Sequence, residues 1–257
     1  MIRFCLLGSG SSGNATLIAS NGVKILIDAG LSFKQIQLRA AAVGESLDDL
    51  RGVFITHEHG DHVSGLGTLA RRLNVPVFLT PQTRDALPPS IGELPRVELF
   101  EAGEELQFGT IRIGSFSVPH DAADPVCYVV SSERAKLGLA ADLGRSSDLV
   151  RERLSGSQGL ILESNYCPDM LRRGPYPAMV QQRIRGRHGH LSNADMCALL
   201  SDIAHDALKV VVLVHISDDN NTHELARSMA SRVVGGRGTE VHVARRDQPT
   251  PIFEIGV

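Results

Sequence analysis

Short apolar runs separated by Gly, Asn, Asp and Pro mark most of this chain as strands of an α/β protein. Residues 2–7 form the first run. Two more, 15–20 and 23–28, are joined by Asn21-Gly22, a dipeptide suited to the left-handed backbone of a tight hairpin. Ser32 then caps a helix that reaches residue 42. A strand ending in 53–55 leads to a helix over 63–73, and Asn74-Val75-Pro76 turns the chain into a strand over 77–80. The middle is rich in strands, at 97–100, 111–118, 126–130 and 137–140. Helices over 147–154, 177–184, 193–205 and 223–233 then alternate with strands over 160–162 and 210–214, and one or two closing strands follow. Strands first, then strand–helix alternation, predicts two sheets packed together with helices outside. No repeat, low-complexity tract or linker divides the chain, so residues 1–257 are expected to form a single domain.

Composition narrows the class without changing it. A hydrophobic content of 42% with 21% charged residues is ordinary for a globular protein. No apolar run approaches the roughly 18 residues that indicate a membrane span, and the first residues lack the apolar core and cleavage site of a signal peptide. Cys5, Cys127, Cys167 and Cys197 are scattered, with no C-x-x-C pair, which fits reduced thiols and a cytoplasmic location. A net charge of −3 argues against a surface coated all over with nucleic acid, but leaves room for a local basic groove.

Chemistry concentrates in Thr56-His57-Glu58-His59-Gly60-Asp61-His62, directly after the apolar run 53–55. Side chains two apart on extended backbone point the same way, so His57 and His59 can grip one ion together. Asp61 and His62, where the chain turns into a helix, can reach a second. Imidazole nitrogen and carboxylate oxygen are ligands of zinc and its first-row neighbours. His120, Asp142 and His215 stand at the ends of other apolar strands, where open α/β folds collect their chemistry. Taken singly, each of these three could equally be a turn or capping residue. Asp28 and Glu58 are candidates to fix imidazole tautomers from behind. His190 precedes Ser192-Asn193, a natural helix N-cap whose backbone amides could hold a phosphate, and could itself protonate a leaving oxygen. The Gly8-to-Asn14 loop, with Ser11, Ser12 and Asn14, could cradle phosphate but lacks the Gly-Lys-Ser/Thr ending of a nucleotide-triphosphate loop.

H-x-H-x-D-H after an apolar strand resembles the metallo-β-lactamase-fold hydrolases, a four-layer αββα sandwich. GSGSSGN at Gly8, LIDAGLS at Leu26, ITHEHGDH at Ile55, DAADPVCYVV at Asp121, ADLG at Ala141, LESNY at Leu162, GHLSN at Gly189 and VHISDDNN at Val214 are similar to the small bacterial YycJ/WalJ group within it. The resemblance implies two divalent metal ions, zinc or manganese, sharing a water or hydroxide. His57, His59 and His120 would hold the first, Asp61, His62 and His215 the second, with Asp142 bridging. It also implies a nuclease, a 5′-to-3′ exodeoxyribonuclease with single-stranded DNA as substrate. Asp61 would orient the nucleophile and His190 act as general acid, with Ser11, Ser12, Asn14, Ser192 and Asn193 on phosphate. His223 stands where a proline-like helix start is expected. The rival readings are a thioester or lactone hydrolase of the same fold, which needs no basic groove, and a metal-stabilised binding protein, which would be missing ligands.

From Arg172 to His190 there are five arginines and no acidic residue. Guanidinium groups suit phosphate oxygens, although a charge run is equally a solvated helix face. Tyr166 and Tyr176 could stack on bases or belong to the core.

Overall fold

The computed structural model describes residues 1–256. Its first half builds one sheet from β1 (Ile2–Gly8), β2 (Ala15–Ser20), β3 (Val23–Ile27), β4 (Leu50–Phe54), β5 (Val77–Leu79) and β6 (Val97–Leu99). The second sheet contains β7 (Glu105–Phe108), β8 (Ile111–Ser117), β9 (Val126–Ser131), β10 (Lys136–Ala140), β11 (Gly159–Glu163), β12 (Val210–Val214) and β13 (Glu240–Val243). The last strand, β14 (Phe253–Ile255), returns to the first sheet and pairs antiparallel with β1. The strand orders are β14-β1-β2-β3-β4-β5-β6 and β13-β12-β11-β10-β9-β8-β7.

Three apolar layers hold the sandwich together. The middle one lies between the sheets, where Phe4, Ile25 and Phe54 meet Tyr128, Leu137 and Val212. Each sheet also has a buried outer face, because β3, β4, β11 and β12 are apolar on successive residues rather than alternate ones. Helices α1 (Phe33–Ala42), α2 (Gly60–Val63), α3 (Leu66–Leu73) and α4 (Pro81–Ala86) accompany the first sheet, whose outer layer draws on Ile36, Leu66 and Leu69. Helices α5 (Asp148–Leu154), α6 (Pro168–Arg173), α7 (Ala178–Ile184), α8 (Asn193–Ile203) and α9 (His223–Val233) belong to the second half, where Val150, Leu200 and Ala226 fill the other outer layer. This is the four-layer αββα arrangement. Among the described residues no helix is long and apolar enough to cross a membrane, and all four cysteines are free.

Several elements depart from the expected ones. The helix over 63–73 is two, α2 and α3, divided at Ser64-Gly65. Gly65 lies so close to the Leu31 carbonyl that a Cβ would collide with it, and its N–H donates to Ala29 O at 2.8 Å. That lateral bond outside the helix marks the break. Helices α4 and α6 and strand β7 add to the expected set, as does a 3-10 turn at Pro89–Ile91. Both extra helices begin on a proline, at Pro81 and Pro168, the position where a missing N–H costs nothing.

Candidate metal centre

Parallel strands that end together create the site. β3 and β4 run parallel in one sheet, β10, β11 and β12 in the other, and their C-terminal ends carry the chemistry. Asp28 follows β3, the segment His57 to His62 follows β4, Asp142 follows β10, Glu163 ends β11 and His215 follows β12. Asp28, Asp142 and His215 share a feature. Each has a positive φ, of 61°, 53° and 56° respectively, in the left-handed region that L-residues enter at a cost of about 1–2 kcal/mol.

Backbone contacts then fix the motif. Ala29 N–H donates to His62 O at 2.8 Å, and Asn14 N–H to Asp61 O at 2.8 Å. Gly30 packs directly on the Asp61 carbonyl, where any side chain would push the two segments apart. The 28–31 and 60–65 segments therefore lie backbone against backbone. This sets the positions of Asp61 and His62.

His57, His59 and His120 turn their ring nitrogens toward one point. Nε2 of His57 lies 3.0 Å from Nδ1 of His59, which is 3.4 Å from Nε2 of His120. Two nitrogens on one tetrahedral zinc, at 2.0–2.1 Å each, would be about 3.3 Å apart. His62 Nε2 lies 3.0 Å from Asp142 Oδ2 and 3.5 Å from Asp61 Oδ2, and His215 Nε2 also lies 3.5 Å from Asp61 Oδ2. Asp142 sits between the groups, its Oδ1 3.4 Å from His215 Nδ1 and 3.9 Å from His120 Nε2. All seven residues expected to bind metal are thus in one cluster.

The outer nitrogens are occupied by protein oxygens. Nδ1 of His57 meets the Thr56 hydroxyl at 2.9 Å, that of His62 meets Asp28 Oδ2 at 2.8 Å, and that of His120 meets Gly189 O at 3.2 Å. Nδ1 of His215 faces Glu163 Oε1 at 3.1 Å. Each pairing directs Nε2 inward. Asp28 is itself held by the Thr56 N–H, which donates to its Oδ1 at 2.9 Å. Within the cluster, buried Asp142 Oδ2 and His215 Nε2 face His62 and Asp61 at 3.0 and 3.5 Å respectively without a well-aligned hydrogen bond, a costly condition unless a cation completes them. The donor set fits divalent metal.

Charge within the cluster is polarised. Burial works against the carboxylates of Asp61 and Asp142, yet His215 and His62 hold both well below the usual range. Burial also opposes protonation of His62 and His215, but Asp28 and Asp142 beside the first, and Asp142, Asp61 and Glu163 beside the second, push both well up. His57 and His120 go down, because burial dominates and neighbouring imidazoles add repulsion.

Glu163 is a site residue that the sequence reading passed over. Fully buried, it accepts N–H bonds from Leu143 at 2.8 Å and Leu191 at 3.1 Å through Oε2. Its Oε1 meets His190 Nδ1 at 2.7 Å as well as His215. A carboxylate ending the apolar run Gly159–Glu163 was the available signal, the same one that marked Asp142 and His215. His190 comes within 3.5 Å of Asp142 Oδ1 and is partly exposed, so the structure brings it to the cluster.

Other expected residues fall elsewhere. Ser192 and Asn193 are buried, which corrects their expected contact with phosphate. Ser192 Oγ caps α8 by accepting from Asp195 N–H, while the Asn193 amide bonds Asn221 and its Oδ1 accepts from Ser164 Oγ. The backbone amides of Leu191 and Asn193 are committed too, to Glu163 and to Tyr166 O. Glu58 accepts from Ala123 N–H at 2.8 Å, so it braces the loop after His120 rather than an imidazole. Asn14 is drawn into the cluster, with Nδ2 3.1 Å from Asp61 Oδ2 and 3.0 Å from His62 Nε2, while Ser11 and Ser12 are exposed at the loop tip. Tyr166 is core, and Tyr176 is half-buried with its hydroxyl donating to Asp219.

Comparison with known proteins gives a consistent placement. A model described as a beta-lactamase superfamily domain matches residues 23–216. Exodeoxyribonuclease YycJ of Bacillus anthracis is 36% identical over 259 residues, covering 98% of each chain. Exodeoxyribonuclease WalJ of Streptococcus pneumoniae serotype 2 is 34% identical over 263 residues, again covering 98% of each. Among solved structures, the metallo-β-lactamase fold protein YhfI from Bacillus subtilis superposes with a TM-score of 0.73 at 16% identity, over 99% of this chain and 100% of the other.

Proposed function

The chain belongs to the β-lactamase superfamily and is a metal-dependent nuclease of the metallo-β-lactamase fold, and from that premise we propose that it is a 5′-to-3′ exodeoxyribonuclease acting on single-stranded DNA in the cytoplasm. The observation that carries the reading is the placement of His190. Its Nδ1 is held by Glu163 and it borders the same Asp142 that centres the cluster.

His57, His59 and His120 would hold one divalent cation, and Asp61, His62 and His215 a second, with Asp142 common to both; zinc or manganese suits this mixed nitrogen and oxygen set. When bound, such a pair neutralises charge on phosphoryl oxygens and makes water acidic enough to attack near neutral pH. Asp61 gives one carboxylate oxygen to Asn14 and the ring nitrogens around it, which leaves the other to accept a hydrogen bond from the attacking water. As the water oxygen bonds to phosphorus it gives up a proton toward the free Asp61 oxygen, the P–O ester bond breaks, and His190 Nε2 delivers a proton to the departing oxygen. Glu163 acts through His190 as a positioning residue, because a carboxylate on Nδ1 selects the tautomer and fixes the ring's orientation. Ser11 and Ser12, exposed beside Asn14, are the side chains free to meet a phosphate. The apolar layer shared by the two sheets supports one domain rather than two.

The test is degradation of 5′- and 3′-labelled single-stranded DNA by protein loaded with Mn²⁺ or Zn²⁺, alongside Asp61→Ala. Metal-dependent release of mononucleotides from the 5′ end, lost in the variant, is expected. Metal-loaded protein that leaves DNA intact and hydrolyses a thioester instead would replace this reading with the acyl-hydrolase one.

A further inference from the structure

Between Glu163 and His190 the chain leaves the sandwich and comes back. Both ends of this excursion are fixed at the site, since one carboxylate oxygen of Glu163 holds His190 Nδ1 at 2.7 Å. The intervening segment carries α6 and α7. α6 is anchored through buried Leu171, and Cys167 N–H donates to Asn220 O. α7 is different, because none of its residues is buried. Its Met179 is 82% exposed, the most exposed large apolar side chain among the described residues, and Val180 beside it is 41% exposed.

A helix with no fully buried residue, only half-buried Gln181 and Ile184, contributes little to the core, and its short length gives it little intrinsic stability. It is nevertheless held in place. Arg183 reaches Asp121 Oδ2 at 2.8 Å, on the loop that follows His120. Gly144, two residues after Asp142, packs so closely on the Arg187 carbonyl that a Cβ there would collide. The segment therefore forms part of the rim of the metal cluster, touching the loops that carry two of its seven residues.

Its charge is opposite in sign to that of the chain. Residues 164–189 hold five arginines against one carboxylate, Asp169, in a protein of net charge −3. Asp169 is spent on Arg172, at 2.7 Å. Arg173, Arg185 and Arg187 are exposed and make no ion pair among the described residues. Unpaired guanidinium groups beside exposed apolar side chains match a polymer with phosphates along its backbone and unstacked bases. A duplex would present the phosphates and hide the bases.

We infer that the α6–α7 segment is a strand-holding arm: Arg173, Arg185 and Arg187 bind phosphates of single-stranded nucleic acid beyond the scissile one, and Met179 supports an unpaired base. The inference rests on the nuclease reading for the identity of the polymer. The arm would hold the part of the strand still to be digested, and so raise the processing of long strands over that of dinucleotides.

The experiment measures binding of the metal-loaded protein to a fluorescent, nuclease-resistant phosphorothioate 12-mer by anisotropy at several salt concentrations. The variants are the triple Arg173→Ala/Arg185→Ala/Arg187→Ala, Met179→Asp, and a control triple, Arg51→Ala/Arg96→Ala/Arg112→Ala. The control residues are exposed near the N-terminal ends of β4, β6 and β8, at the end of the sandwich remote from the cluster. The arm triple is expected to weaken binding at least tenfold and to flatten the plot of log Kd against log salt by about two, given a slope of about 0.7 per phosphate contact on single strands. Met179→Asp is expected to weaken binding severalfold, and the control to leave it near wild type. Equal affinity for the arm triple and wild type, or equal losses from arm and control triples, would overturn the inference. Unmodified oligonucleotide run in parallel separates the two claims: a wild type that binds the 12-mer through the arm yet cleaves no DNA defeats the exonuclease reading alone.

Discussion

Glu163 Oε1 lies 2.7 Å from His190 Nδ1, so the imidazole can offer only Nε2 to a substrate. The same oxygen is 3.1 Å from His215 Nδ1. A single buried carboxylate thus sets the tautomers of a proposed acid and a proposed metal ligand.

Replacing His190 by Ala is expected to lower kcat on DNA by about 10²–10⁴-fold, the usual contribution of a general acid, with metal content unchanged by atomic absorption. Glu163→Gln should lower kcat less, by about 10–100-fold, with metal content unchanged, because an amide in its place no longer fixes the proton on Nδ1. Loss of metal from His190→Ala would instead make that residue a ligand.

Asp28→Asn tests the support behind His62. The 2.8 Å contact to Nδ1 directs Nε2 toward Asp142 and Asp61. Metal affinity, measured by competition with a chromophoric chelator, should fall by about 10–100-fold. Unaltered affinity would show that the Thr56 hydroxyl, 3.2 Å from the same Nδ1, orients the ring by itself.

Asn193→Ala addresses the correction at α8. Removing its amide strips partners from Ser164 and Asn221, both buried. Stability to urea should drop by about 1–3 kcal/mol, the cost of stranding buried polar groups, while KM for DNA stays close to wild type. A raised KM with unchanged stability would restore Asn193 to substrate.

Chelation should destabilise as well as inactivate. Asp142 Oδ2 and His215 Nε2 are buried without a well-aligned hydrogen bond, so a bound cation would complete them and stabilise the native state by about 4 kcal/mol at a thousandfold excess over its Kd. Exhaustive dialysis against EDTA is expected to lower Tm by several degrees, and added Zn²⁺ or Mn²⁺ to restore it. An identical Tm with and without metal would contradict the assignment of these two atoms.

Thiol chemistry gives an independent check on packing. Burial pushes the Cys5 thiol up to about 12, and Cys127 is raised further by the same cause. Native protein should therefore show at most two rapidly reacting thiols with Ellman's reagent, at half-buried Cys167 and Cys197, and four after unfolding.

The layers and the histidine–aspartate cluster were legible in the chain because both follow from apolar runs that stop on a polar residue. Val210–Val214 then His215, and Lys136–Ala140 then Asp142, announce a buried strand and the position at its end. Glu163 carries the same mark at the end of Gly159–Glu163, but a lone carboxylate at a strand end reads as a turn residue until the buried imidazoles it faces are seen. Ser192 and Asn193 were misplaced because a capping sequence reveals the helix start without revealing what covers it. Here Tyr166 and Asn221 accept from Asn193 while Ser164 donates to its Oδ1, which closes that end and uses its polar groups. Gly65 split a helix through contact with Leu31, a residue too distant in sequence for local periodicity to register.

The left-handed backbone at Asp28, Asp142 and His215 has a consequence for the stability of this protein. Glycine there would relieve about 1 kcal/mol of backbone strain at each position, but would remove the buried contacts of Asp28 and the proposed metal-binding atoms of Asp142 and His215. At these three strand ends the backbone carries strain that only the chemistry of the site offsets.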